Sequence, residues 1–94
     1  MDSRILADTS QRLRSLRMAS GLKQVDFCRR VGLSAQAWNN YESGLRLISI
    51  ESAIKVCLAT NVTLDWMYRG VTLGLPAEVL DYLKRESDLA TRAA

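Results

Sequence analysis

The sequence predicts an all-α fold, and three observations carry that expectation. Hydrophobic residues make up 48% of the 94 positions and charged residues 24%, a balance that suits one small soluble core. One Pro and five Gly leave little material for the many turns of a β protein, and the two Trp, three Tyr and one Phe are not gathered into β-branched runs. Apolar residues recur instead at helical spacing, between recognisable start and stop signals.

Taken in order, the first helix is expected at about residues 9–19. Asp8 followed by Gln11 reads as a capping box, Leu13 and Leu16 point inward, and Gly21 ends the helix. A short second helix at about 24–30 carries Phe27, Cys28 and then Val31 on one face, and Gly32 breaks it. Ser34 is a good N-cap for a third helix at about 35–42, with Ala37, Trp38 and Tyr41 on the inner face and Ser43-Gly44 as its stop. A fourth helix is expected from near Ser49 to about Thr60, presenting Ile50, Ile54, Cys57 and Leu58 inward. Thr63 caps a fifth, Leu64–Tyr68, which Gly70 ends. Pro76 opens a sixth at about 76–86, whose stripe is Val79, Leu80 and Leu83.

Composition also excludes chemistry. There is no His, which removes imidazole acid–base catalysis, Ser-His-Asp triads and imidazole metal ligation. Cys28 and Cys57 lie far apart, in no CxxC or Cys/His spacing, and read as free core thiols; no metal or other cofactor is expected. No set of nucleophile, base and oxyanion donor converges, so no catalytic residue is assigned and an enzyme is not expected. No segment looks like a secretory signal or a membrane span. A cytoplasmic protein is expected, without a membrane partner or a small-molecule ligand.

Charge gives a direction. The chain carries 13 Lys and Arg against 10 Asp and Glu, net +3. Residues 1–46 hold eight bases and four acids, while residues 47–94 hold five bases and six acids. A basic N-terminal half suits a polyanion.

The informative segment is 24–44, QVDFCRRVGLSAQAWNNYESG. Two short helices flank a turn of about three residues, and the second offers Ala35, Gln36, Asn39 and Asn40 on its outer face. A helix entering a DNA major groove needs unobstructed side chains that reach base edges, and amides both donate and accept, as adenine requires. A merely solvated face would favour Glu, Lys and Arg.

Residues 12–70 resemble the lambda-repressor-like, or XRE-type, helix-turn-helix domain. LRSLRMASGLKQ, FCRRVGLSAQAW, NYESGLR and VTLDWMYRG carry the resemblance. It implies a compact five-helix domain over residues 1–70, in which the third helix reads the major groove, extended here by a C-terminal amphipathic helix in residues 71–94. Ala35, Gln36 and Asn40 then fall on base-contacting positions, and Asn39 on one that meets bases or backbone. Gln24, Ser34 and Arg46 fall on positions that approach the DNA backbone. Glu42, in the family's E-x-G ending, is expected to pair with Arg14 or Arg17. Lys23 departs from the usual Ser or Thr cap before Gln24 and reads as an added backbone contact. Trp38 stands where Ile or Val is common, and Cys28 where Ala is. Ala35 makes no polar base contact; it packs on a thymine methyl or leaves that base pair unread.

The resemblance further implies a homodimer on a palindromic double-stranded operator, with recognition helices ~34 Å apart. Candidate dimer contacts are Trp66 and Met67, which read equally as core, and Val79, Leu80 and Leu83. The leading expectation is a sequence-specific transcriptional regulator of bacterial or phage origin, expected to be a repressor, although the sign depends on where the operator lies relative to a promoter. The alternative is an antitoxin or other interaction module that binds a partner protein through residues 71–94 and autoregulates its operon.

Overall fold

A computed structural model describes residues 3–93, which form six helices and, among these residues, no strand. They are α1 (Ser3–Ser20), α2 (Gln24–Val31), α3 (Ala35–Glu42), α4 (Ile50–Thr60), α5 (Leu64–Arg69) and α6 (Ala77–Ala93). The local signals act where they were expected. Ser34 Oγ accepts from the Ala37 N–H, Ser49 Oγ from Ser52 and Thr63 Oγ1 from Trp66, each satisfying an amide that the first helical turn leaves unpaired.

α1 is the spine, with α2, α3, α5 and α6 all packed on it, while α4 closes the far side against α2 and α5. Leu13 and Leu16 of α1, Phe27, Cys28 and Val31 of α2, and Trp38 of α3 are all buried. The Phe27 and Trp38 rings meet at 4.8 Å, tilted by 47°, an aromatic contact that fixes how α3 leans on α2. From α5, Trp66 and Met67 complete this core, and Val79 and Leu75 seal one end.

Three expectations are corrected. α1 begins at Ser3, so Asp8 lies inside the helix and caps nothing. The inward row is Leu6, half-buried, then Thr9, Leu13 and Leu16, all buried. A polar residue at Thr9 interrupts the apolar pattern, and the first two turns are hidden from a periodicity count.

α4 turns the other way. Ala53 and Val56 face the core, whereas Ile50, Ile54 and Leu58 are exposed and Cys57 is half-buried at the margin. Close approach to α2 and α5 admits only small side chains, so the bulkier aliphatics are left outside.

α6 continues seven residues past the expected end, to Ala93. Pro76 sits just before it, and its carbonyl accepts from Val79 and Leu80. The helix lies along α1, with Val79 buried, Leu83 against the core, and Glu86 accepting from Ser15 Oγ at 2.8 Å.

Candidate nucleic-acid interface

The turn between α2 and α3 needs three residues. Gly32 takes φ 78 and ψ 30, a left-handed conformation that a Cβ disfavours. Its N–H and that of Leu33 both donate to the Cys28 carbonyl, at 2.9 and 3.0 Å. Leu33 turns back onto the core, and Ser34 starts α3. The two helices therefore leave the turn at an angle set by backbone bonds and by the Phe27–Trp38 contact.

α3 presents two faces. Trp38 is fully buried, with Ala37 and Tyr41 half-buried. On the other side Ala35, Gln36 and Asn39 are exposed and Asn40 is half-buried. The side-chain amides of Gln36, Asn39 and Asn40 make no hydrogen bond among the described residues, so their donors and acceptors are not engaged within the fold.

The C-terminal end of α3 is held by charge. Arg17 of α1 donates from Nε to both carboxylate oxygens of Glu42 at 3.0 and 3.2 Å, and from Nη2 to Oε1 at 2.8 Å. Its Nη1 donates to the Leu22 carbonyl at 3.1 Å, and Trp38 Nε1 donates to Glu42 Oε2. The side chains of Arg17 and Glu42 are only 16% and 7% exposed. The hydrogen bond to Glu42 raises the Arg17 pKa further above its ordinary value, since that bond favours the charged guanidinium. Of the two arginines expected for Glu42, the partner is Arg17; Arg14 is exposed. The indole contact was legible only as an i, i+4 spacing.

Beyond α3 the chain wraps back. The Asn40 carbonyl accepts from the N–H groups of both Leu45 and Arg46, at 3.0 and 3.2 Å. Exposed Arg46 is thereby tethered at the backbone to Asn40 of α3. Tyr41 Oη meets Ser52 Oγ at 3.3 Å, linking α3 to α4; that bond is the leading cause of a lowered Tyr41 pKa.

At the start of α2, Lys23 is the N-cap in extended conformation (φ −70, ψ 162) and provides no side-chain cap bond. It is exposed, and Gln24 beside it is half-buried. Asp26 in the first turn offsets part of the unfavourable cation at this helix end. Lys23, Gln24, Ser34, Ala35, Gln36, Asn39, Asn40 and Arg46 thus belong to two helix N-termini, one outer helix face and one adjoining loop.

The expected dimer residues divide. Trp66, Met67 and Val79 are packed inside the protomer's own core and have no surface to offer a partner. The indole and thioether both lie within the buried core cluster, which settles the core reading for both. Leu83 is half-buried against the core and Leu80 is exposed.

Among the described residues no group of His, Cys, Asp and Glu is placed to hold a metal ion, and no helix is long and apolar enough to cross a membrane. Cys28 is buried, and loss of solvation pushes its thiol pKa up.

Two short helices about a glycine turn, with the second outward and amide-rich, define a helix-turn-helix unit. The helix-turn-helix family model matches residues 13–67, more than half of the chain. The chain belongs to this lambda-repressor-like family, whose members are DNA-binding regulators. Neither the curated proteins nor the solved structures contain a significant match.

Proposed function

We propose that the protein is a sequence-specific transcriptional repressor that binds a palindromic operator as a homodimer, with α3 in the major groove. One observation carries this reading: three unengaged amides stand on the outer face of a helix whose inner face is fixed by Trp38 and by the Arg17–Glu42 pair. Gln36, Asn39 and Asn40 read base edges, and Ala35 packs on a thymine methyl. Lys23, Gln24, Ser34 and Arg46 contact the backbone, with the α3 N-terminal amides facing a phosphate. Residues 1–70 act as the DNA-binding domain, and 71–94 brace it through α6. The antitoxin reading needs a partner surface on 71–94, where Val79 and Leu83 are already engaged with the core.

The test is fluorescence anisotropy of labelled duplex carrying the gene's own upstream region, against a scrambled duplex, across a salt series. A repressor of its own operon prefers the native duplex by at least ~10³-fold, with a steep salt slope. Equal affinity for both duplexes would reject that region as the operator.

A further inference from the structure

Ile50, Ile54 and Leu58 recur every fourth residue along α4 and are 54%, 44% and 79% exposed. The inner side of the same helix, Ala53 and Val56, is fully buried. Single surface aliphatics need no explanation, but three in register form a continuous apolar ridge. One flank of the ridge carries Glu51 and Lys55, both exposed and one turn apart.

We propose that this ridge docks on the same ridge of a second copy of the chain, α4 antiparallel to α4 about a two-fold axis, and so forms the DNA-binding dimer. The inference rests on the operator-binding reading above and supplies its missing interface.

Charge selects the partner and the direction. An antiparallel two-fold keeps both charged flanks on one side and reverses their order, which brings Glu51 of each copy to Lys55 of the other. A parallel pairing puts the two flanks on opposite sides, where neither meets its complement.

Spacing supports the same face. Ser52, on the side of α4 away from the ridge, is the residue that meets Tyr41 of α3. The order across the dimer is then α3, α4, α4, α3. The α4–α4 step is ~8–10 Å, and each α3–α4 step, bridged by the Tyr41 side chain rather than by direct packing, is longer, so the recognition helices stand more than about 24–30 Å apart, a range that includes the ~34 Å of one DNA turn. The exposed apolar residues of α6, Leu80 and Leu89, serve this less well. α6 packs on α1, and α1 on α3, so a two-fold there makes five steps and spreads the readers to ~40–50 Å.

One helix face per protomer buries less than the ~1,600 Å² of a standard interface. The free dimer is therefore weak, with dissociation on the order of micromolar or above, and is completed on DNA.

Sedimentation equilibrium of the full chain up to millimolar concentration tests the pairing, with circular dichroism as the check on folding. The wild type dimerises, Ile54→Glu is a folded monomer, and Leu89→Glu dimerises like wild type. Glu51→Lys weakens the dimer about tenfold, and Glu51→Lys/Lys55→Glu restores it. The charge pair keeps the test decisive even if Ile54→Glu does not fold. A wild type that stays monomeric throughout, an unchanged dimer in folded Ile54→Glu, or loss of the dimer in Leu89→Glu each overturns the pairing. Anisotropy on a random-sequence duplex at low salt separates the two readings: binding by monomeric Ile54→Glu upholds the DNA reading, whereas a wild type that dimerises through α4 without binding any duplex refutes that reading alone.

Discussion

Replacing either member of the Arg17–Glu42 pair unbalances a cluster that has almost no access to water. In Glu42→Leu the Arg17 guanidinium loses three of its four hydrogen bonds, and Trp38 Nε1 loses its acceptor. Breaking such a pair from one side costs ~3–5 kcal/mol, because a desolvated charge is left unpaired. A chain of this length has a total stability of roughly 5–14 kcal/mol, so the single variant is close to the limit of folding. At ~4–8 °C for each kcal/mol, its Tm falls by roughly 12–40 °C. Arg17→Met strands the carboxylate in the same way. The double variant Arg17→Met/Glu42→Leu removes both charges and leaves only the Trp38 N–H and the Leu22 carbonyl to be satisfied, at about 1–3 kcal/mol for each, and each single variant already carries one of these costs beside its stranded charge. Urea denaturation followed by circular dichroism measures all three variants. The expected outcome is a double variant more stable than either single one. A double variant destabilised by the sum of the singles would mean that the two residues act independently, and the anchoring role of Glu42 would be wrong.

Other outcomes follow from the same geometry. Gln36→Ala and Asn40→Ala each lose ~1–3 kcal/mol of discrimination at one or two base pairs per half-site in competition binding, while affinity for random duplex is unchanged. Lys23→Ser gains a side-chain cap worth about 0.5–2 kcal/mol in urea denaturation, and lowers the salt slope of DNA binding by about one per protomer. Among the described residues Thr9 Oγ1 is buried without a hydrogen-bond partner, so the isosteric Thr9→Val is expected to raise stability by about 1 kcal/mol, and a loss of stability would show that the hydroxyl is satisfied. The raised pKa of Cys28, caused first by burial, makes the unfolded chain release this proton first. Its contribution is whole below about pH 8.5 and falls as pH rises, by at most ~1.4 kcal/mol per pH unit, so denaturation between pH 8.5 and 10 should show a shallower decline in Cys28→Ala.

Much of the reader unit is written in short-range chemistry. Ser34, Ser49 and Thr63 mark helix starts because a hydroxyl oxygen one residue before a helix reaches the free amide of its third residue. Gly32 and Gly70 mark helix ends because they alone take the left-handed cap without a Cβ penalty. The division of α3 into an aromatic inner face and an amide outer face needs only the 3.6-residue period. These interactions span four residues or fewer, so the sequence determined the helix-turn-helix and the candidate base-reading residues by itself.

Tertiary structure decided the rest. Periodicity shows that α4 has an apolar side, yet which side is buried depends on how closely α2 and α5 approach. Here that approach selects Ala53 and Val56 and leaves Ile50, Ile54 and Leu58 outside. Arg14 and Arg17 are equivalent as charges; only the path of α1 past the end of α3 brings Arg17 to Glu42. Trp66 and Met67 look the same in sequence whether they face a partner or a core, and the seat of α5 on α1 places them inside. Local signals act through bonds to neighbouring residues, whereas burial is set by which distant helix occupies the space, and that space exists only once the chain has folded.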